Sequence, residues 1–282
     1  MKSGAVLLAG AALLGCGAGR RTAAPAPPVE TPSRAMVSAA FTPLHYRVRA
    51  PLVYEIARYD SLSYEPQGNE TAQVSDKTGL LLVRPGTGRE GGRLEIVLQT
   101  IAAGPGTSLA VSSLDSAAGA RWRLNLGPSG PEGAPTGEPA SVLAEQMRVI
   151  GGLLFPQLPR DGIQLGDAWS DSASYRVRVD AFDAVESAAR TSEAKSAASG
   201  VRVEATERLS RSGGTSQGGQ MMSLSGGGAR WLSYDFASPG LVTSLWARDS
   251  LDLRVRVEAT GQIIPVRWRS TLTARLRGAT PR

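Results

Sequence analysis

Residues 251–277, LDLRVRVEATGQIIPVRWRSTLTARLR, decide the fold. Leu251, Leu253, Val255 and Val257 alternate with Asp252, Arg254, Arg256 and Glu258. After a turn at Thr260-Gly261-Gln262, Ile264, Val266, Trp268, Leu272 and Leu276 alternate with Arg267, Arg269, Thr271, Thr273, Arg275 and Arg277. Side chains of a strand point to alternate faces, so this period of two predicts two strands, each with one apolar and one wet face. Parallel sheets are buried on both faces and read as unbroken apolar runs, so alternation this regular predicts antiparallel pairing.

The same period runs back through the chain. Leu44, Tyr46 and Val48 alternate with His45, Arg47 and Arg49, and further strands are expected over 52–64, 70–84, 93–102, 107–114 and 120–126. Gly/Pro clusters at 85–88 and 127–137 separate them, as hairpins require. In the second half, Trp169, Ala173, Tyr175, Val177, Val179 and Ala181 share one face, opposite Ser174, Arg176, Arg178 and Asp180. Residues 183–199 are rich in Ala, Ser and Glu and read as a solvated helical excursion or a loop. Strands follow over 201–209, 220–224 and 229–236, around a Gly-rich turn at 213–219, and Ser238-Pro239-Gly240 turns the chain again.

One stretch has another period. Leu143, Met147, Ile150 and Leu154 recur at helical spacing, with Glu145, Gln146 and Arg148 opposite. Pro139 suits a first turn and Pro156 a stop, so a helix is expected over 139–155. Ten to twelve strands and one helix predict a mainly β domain over 44–282. Its expected architecture is a curved antiparallel sheet, half-barrel-like or a sandwich, with the one central helix packed on it. Hairpins, connector and hairpins again give the halves the look of a loose repeat.

The chain has 282 residues and a formal charge of +6, and its sole cysteine is Cys16. Structural disulfides are therefore excluded, and packing must hold the fold. Of the 31 basic residues 28 are arginine, a bias that fits a GC-rich genome better than a polyanionic partner. A single histidine, His45, removes most metal and acid–base constellations, and no Cys/His/Asp cluster has metal-ligand spacing.

Cys16 closes the run Gly4–Leu14, GAVLLAGAALL, which follows Lys2. This run has the length of a signal-peptide core and is too short to span a bilayer. Leu13-Leu14-Gly15-Cys16 resembles the lipobox of bacterial lipoproteins. The resemblance covers the first sixteen residues and implies cleavage between Gly15 and Cys16, with diacylglycerol on the Cys16 thiol and a second acyl group such as palmitate. Residues 1–15 would be the signal peptide. Gly17, where lipoproteins retained in the inner membrane carry aspartate, points to an outer-membrane anchor facing the periplasm. Residues 16–43 are small, Pro-rich and poor in large apolar groups, and read as a disordered tether reaching roughly 80 Å at about 3.1 Å per residue.

Enzymatic strings fail on context. Residues 86–91, GTGREG, match GxGxxG, but a strand pattern follows where a phosphate-binding helix is needed. Residues 214–218, GTSQG, match GxSxG within a Gly-rich turn and without a downstream histidine. Ser192-Glu193-Ala194-Lys195 and Lys77-Thr78-Gly79 stand in the reverse of the order that penicillin-binding enzymes use. The carboxylate pairs Asp180/Asp183 and Glu204/Glu207 read as solvated faces, and His45 as an exposed residue. No catalytic site, cofactor or metal is expected, and the compartment excludes nucleic acid.

Phe155-Pro156-Gln157-Leu158-Pro159 followed by Gly166-Asp167-Ala168-Trp169 resembles a motif of uncharacterised secreted and lipid-anchored bacterial β-proteins, a family with no activity to carry over. Lipoprotein-sorting carriers and related lipid-binding lipoproteins resemble the strand-rich, helix-lidded design. Two functions are thus expected to compete. One is an apolar-ligand carrier with a pocket lined by Leu143, Met147, Ile150, Trp169 and Tyr175. The other is an envelope scaffold that meets a protein partner or anionic headgroups through Arg254, Arg256, Arg267 and Arg269.

Overall fold

The computed structural model describes residues 44–46, 48–65, 70–86, 92–107, 111–137, 141–179, 182–198, 200–237 and 240–279. The expected signal peptide, Gly15, the Cys16 expected to carry lipid and the expected tether lie outside the described residues.

Among the described residues, eleven strands form one antiparallel sheet. They are β1 (Leu52–Tyr64), β2 (Thr71–Pro85), β3 (Arg93–Ala103), β4 (Arg121–Gly127), β5 (Gly130–Pro131), β6 (Ala168–Val179), β7 (Phe182–Ala197), β8 (Gly200–Gln217), β9 (Gln220–Ala237), β10 (Leu241–Val257) and β11 (Ile263–Ala279). Their order is β5-β4-β3-β2-β1-β11-β10-β9-β8-β7-β6. The fold is therefore two meanders, β1–β5 and β6–β11, joined side by side through β1 and β11, which pair from Leu52↔Ala279 to Tyr64↔Val266. The expected curved, mainly β, antiparallel sheet is present as a curled half-barrel.

Two helices lie between strands, where one was expected: α1 (Val111–Ala117) and α2 (Val142–Leu153). Residues 107–114 were expected to be a strand. Leu114 and Ala117, three residues apart, are the buried pair of α1, and so short an apolar run fits either period. The long helix starts at Val142, with Ser141 as its N-cap: the Ser141 side chain accepts from Ala144 N at 3.1 Å. Pro139 lies outside the described residues.

The 183–199 stretch is corrected to strand β7. Its inner positions are Ala184, Glu186, Ala188, Arg190, Ser192 and Ala194, which are small or charged, so the apolar alternation that marks a strand is missing. The Gly-rich segments also fall inside strands. β8 runs to Gln217, and β9 continues through Gly226-Gly227-Gly228 without a break. A Cβ at Gly226 would stand 2.7 Å from the Leu253 Cα, and one at Gly228 would overlap the Ser250 carbonyl oxygen. These missing side chains let β9 and β10 coil tightly. The described residues 44–46 and 48–49 form no strand, although Leu44, Tyr46 and Val48 are all buried.

The inner face of the sheet holds the core in two parts. The larger joins Tyr54, Leu81, Ile96, Trp122, Tyr234 and Phe236 to Leu143, Met147, Ile150 and Leu154 of α2. The smaller gathers Val177, Ala184, Leu209, Leu224, Leu251 and Leu253, with Val149 of α2 at its border. Leu251 and Leu253 are almost fully buried although the cluster is nearly all sheet. The strands must therefore curl until their own side chains shield one another.

The motif after α2 is connective. Tyr46 packs edge-on against Phe155 at 5.7 Å, and its hydroxyl donates to Pro156 O at 2.7 Å. Asp167 Oδ2 accepts from Gln164 N at 2.7 Å, and Trp169 Nε1 donates to Gln157 O at 3.2 Å. Met147 is 1% and Ile150 0% exposed. Met147→Asp is expected to cost about 3–5 kcal/mol by chemical denaturation, because it places a carboxylate in the apolar core.

Candidate ligand groove and buried charge ladder

The core is crossed by a line of charge. Strand register sets Asp171 of β6 opposite Arg190 of β7, and Arg190 opposite Glu207 of β8. Glu207 faces Arg230 of β9, and Arg230 faces Asp249 of β10. The line continues through Ser270 of β11 to Asp60 of β1 and Ser75 of β2. It forms one rung of eight residues on eight strands. Residues directly opposite in adjacent strands have neighbouring Cβ atoms, so the alternating signs from Asp171 to Asp249 attract at every step, and the neutral Ser270 separates Asp249 from Asp60. The rung divides the two apolar clusters.

Arg230 is the hub. Its Nε donates to Asp249 Oδ1 at 2.8 Å, and its Nη1 to Glu207 Oε2 at 3.0 Å and to the Tyr175 hydroxyl at 3.2 Å. Nη2 reaches Asp249 Oδ2 at 3.1 Å and Glu186 Oε1 at 3.4 Å. Burial alone would weaken the Arg230 cation, but Asp249, Tyr175 and Glu186 outweigh it and raise its pKa well above the ordinary value. Arg211 pairs with Glu186 and lies over the Trp268 ring at 4.7 Å. Burial would raise the Glu186 carboxyl, but Arg230 and Arg211 overcome it and hold it below the usual range. On the β1 side, Asp60 binds Arg58 at 2.8 Å, Lys77 at 2.9 Å and the Trp268 indole at 3.2 Å. Burial would raise Asp60 too, yet Arg58 and Lys77 hold it at about 2.

The rung ends at β6, an edge of the sheet. The β6 residues Asp171–Tyr175 form one wall of a hollow of about 440 Å³. Val149, Gly152 and Leu153 of α2, with Phe155, form the second wall, and Pro131, Ala134 and Pro135 the third. Pro131 belongs to β5 and Asp171 to β6, so both edges of the open sheet border one hollow. A second hollow, of about 1,060 Å³, continues past Arg148 along Arg176, Val177 and Arg178. Arg148 spans the gap between the two. It binds Glu145 with Nε at 2.8 Å, donates to Pro135 O at 2.7 Å and reaches Arg176 O at 3.4 Å.

The expected pocket residues separate. Leu143, Met147 and Ile150 are packed into the larger core, Trp169 is half-buried against it, and Tyr175 alone of the five lines the 440 Å³ hollow. The expected surface residues come together. Arg254, Arg256 and Arg267 are exposed and Arg269 half-buried, all on the outer face of β10 and β11. Acids partly neutralise them: Asp252 binds Arg269 at 3.0 Å, and Glu258 lies 3.6 Å from Arg256. His45 is half-buried, with a buried Nδ1 that has no partner among the described residues. Glu204 and Glu207 lie on opposite faces of β8: Glu204 meets Lys195 outside, while Glu207 is buried in the ladder. Asp180 lies outside the described residues. Sequence reading missed the ladder, although the count of two along β8 from Val203 to Glu207 and Arg211 was its signal.

No helix among the described residues is long and apolar enough to cross a membrane. No group of three metal-ligating acidic, cysteine or histidine residues occurs among them. Comparison with known proteins returned no matching family model and no matching curated protein. One similar solved structure is the crystal structure of a DUF1329 family protein from Desulfovibrio piger. It is 11% identical, covers 77% of this chain and 83% of its own, and has a TM-score of 0.13, which is too low to bear on fold or function.

Proposed function

We propose that this is a lipid-anchored envelope protein whose β domain binds or carries a ligand with an apolar chain, without catalysing a reaction on it. The observation that carries the reading is the hollow between α2 and β6. Its volume of about 440 Å³ lies within the range of small-molecule sites, about 300–1,000 Å³. Proline, valine, leucine and phenylalanine side chains supply its lips, and polar groups from β6 and β7 stand at one wall. An apolar chain laid there removes both its own surface and that of the half-buried Val149 and Leu153 from water, at about 25 cal/mol per Å². The hollow lies at a sheet edge, so a ligand can enter without breaking a strand pair. The anchor and the outer-membrane, periplasm-facing location rest on the Leu13–Cys16 lipobox and belong to the same proposal.

A second reading, an envelope scaffold, draws on the outer-face position of Arg254, Arg256 and Arg267. One experiment separates the two. The full chain carrying Cys16→Ser, purified gently, is analysed by native mass spectrometry and solvent extraction. The expected result is a stoichiometric chain-bearing molecule that dissociates on unfolding. A bare mass, unchanged after incubation with envelope lipids, would reject the carrier and turn attention to the outer face.

A further inference from the structure

Resting on the carrier reading, we propose that the groove selects the head of its ligand: it takes a single alkyl chain bearing a cationic head, such as a primary ammonium, with that head seated beside Asp171.

The argument begins with the order of charges. From β10 to β6 the rung reads Asp249, Arg230, Glu207, Arg190, Asp171, so that every arginine has an acid on either side. Asp171 breaks the pattern. It has a neighbour only on the β7 side, and that neighbour is committed elsewhere. Arg190 binds Glu207 with both Nε and Nη2, and comes no closer than 3.9 Å to Asp171 Oδ1. The other Asp171 oxygen, Oδ2, is buried and has no hydrogen-bond partner among the described residues. Across the β6 edge, where the next member of the rung would stand, lies the groove. A cation there continues the alternation and meets the part of the Asp171 side chain that stays open, 24% of it.

The other charges on the groove argue the same way. Arg148 is spent on Glu145 and on two backbone carbonyls, and Arg190 on Glu207. A carboxylate or phosphate head would therefore meet the Asp171 charge, with Arg148 and Arg190 each already paired to an acid. Arg176 and Arg178, whose side chains have no ion-pair partner among the described residues, line only the second hollow. Their parity puts them on the opposite face of β6 from Asp171. On the same face as Asp171, Ala173 is small and leaves room for a head group. The raised pKa of Asp171, which burial pushes up against the pull of Arg190, agrees with a carboxylate short of cations.

The test uses the full chain carrying Cys16→Ser, titrated calorimetrically with decylammonium, decanoate and butylammonium below their aggregation limits. Decylammonium is expected to bind at least tenfold more tightly than decanoate, and butylammonium hardly at all. Asp171→Asn is expected to bring decylammonium and decanoate within threefold of each other, decylammonium weakening and decanoate, relieved of the Asp171 charge, binding at least as well as before. Equal binding of the two ten-carbon probes, both tighter than butylammonium, would overturn the head selection and leave the carrier reading standing. So would a preference for decylammonium that survives Asp171→Asn. Failure of every chain to bind would overturn both. The comparison of heads on the unsubstituted Asp171 protein decides the matter even where the variant unfolds.

Discussion

Arg230→Ala should lower the folding free energy by about 3–5 kcal/mol at neutral pH, enough to unfold much of an ordinary domain. The loss comes from what stays behind. Glu186, Glu207 and Asp249 would keep their burial while losing the cation that donates to all three. The pH dependence gives the mechanism away. Burial pushes the Glu186 carboxyl up, and Arg230 is the strongest of the charges that hold it below its usual range, so the parent loses stability as pH falls through that range and the variant loses less. The gap between variant and parent should therefore narrow from neutral towards mildly acid pH. Urea denaturation at two pH values measures it, and a gap independent of pH would mean that lost packing dominates. Arg202→Ala is the control. Arg202 pairs with Asp235 at 2.8 Å on the outer face and is 44% exposed, so its loss should leave stability nearly unchanged.

Gly228→Ala is the second large effect expected, about 3 kcal/mol or more, from one methyl group. The added Cβ would stand 2.9 Å from the Leu251 Cα as well as overlapping Ser250 O. Both obstacles are backbone of the paired strand, so relief requires β9 and β10 to move apart along a ladder that contains Arg230 and Asp249. Gly214→Ala, a glycine of the neighbouring β8, meets only the Met222 carbonyl oxygen at 3.4 Å and should cost less than about 1 kcal/mol. Thermal or chemical denaturation of the pair checks the contrast. Equal losses would show that strand entropy, not the close approach at Gly228, sets the cost.

These two positions also show what sequence makes legible. Alternation in 251–277 announces antiparallel strands because inner leucines and valines differ sharply from outer arginines. It fades in β7, where inner Glu186 and Arg190 look like surface residues and inner alanines look like helix formers. The charge ladder is invisible for the same reason. An arginine at an inner position carries no local mark, and only the register of five strands reveals that its neighbours are acids. The helix was readable from Leu143, Met147, Ile150 and Leu154. Its role as core was not separable from a role as pocket wall, because both demand the same apolar stripe. The groove depends on β6 being an edge, a property of topology that no residue of β6 declares. Tyr175 was picked from strand parity, and parity is what places it on the inner side with Asp171.

The side-by-side pairing of β1 with β11 has a consequence for how the chain comes to be folded. Partners such as Tyr54 and Leu276 are separated by most of the sequence, so the central seam of the sheet has a very high contact order. A chain made from its N-terminus can complete the β1–β5 meander early, yet β1 then waits with one bare edge until the last strand emerges. During that interval Leu52, Tyr54 and Ile56, all buried in the finished sheet, stand at an unpaired edge that any other strand could capture. Closure of the seam is thus the slow and aggregation-exposed step. A chain cut short anywhere within β11 carries two well-formed meanders that have lost the strand that joins them.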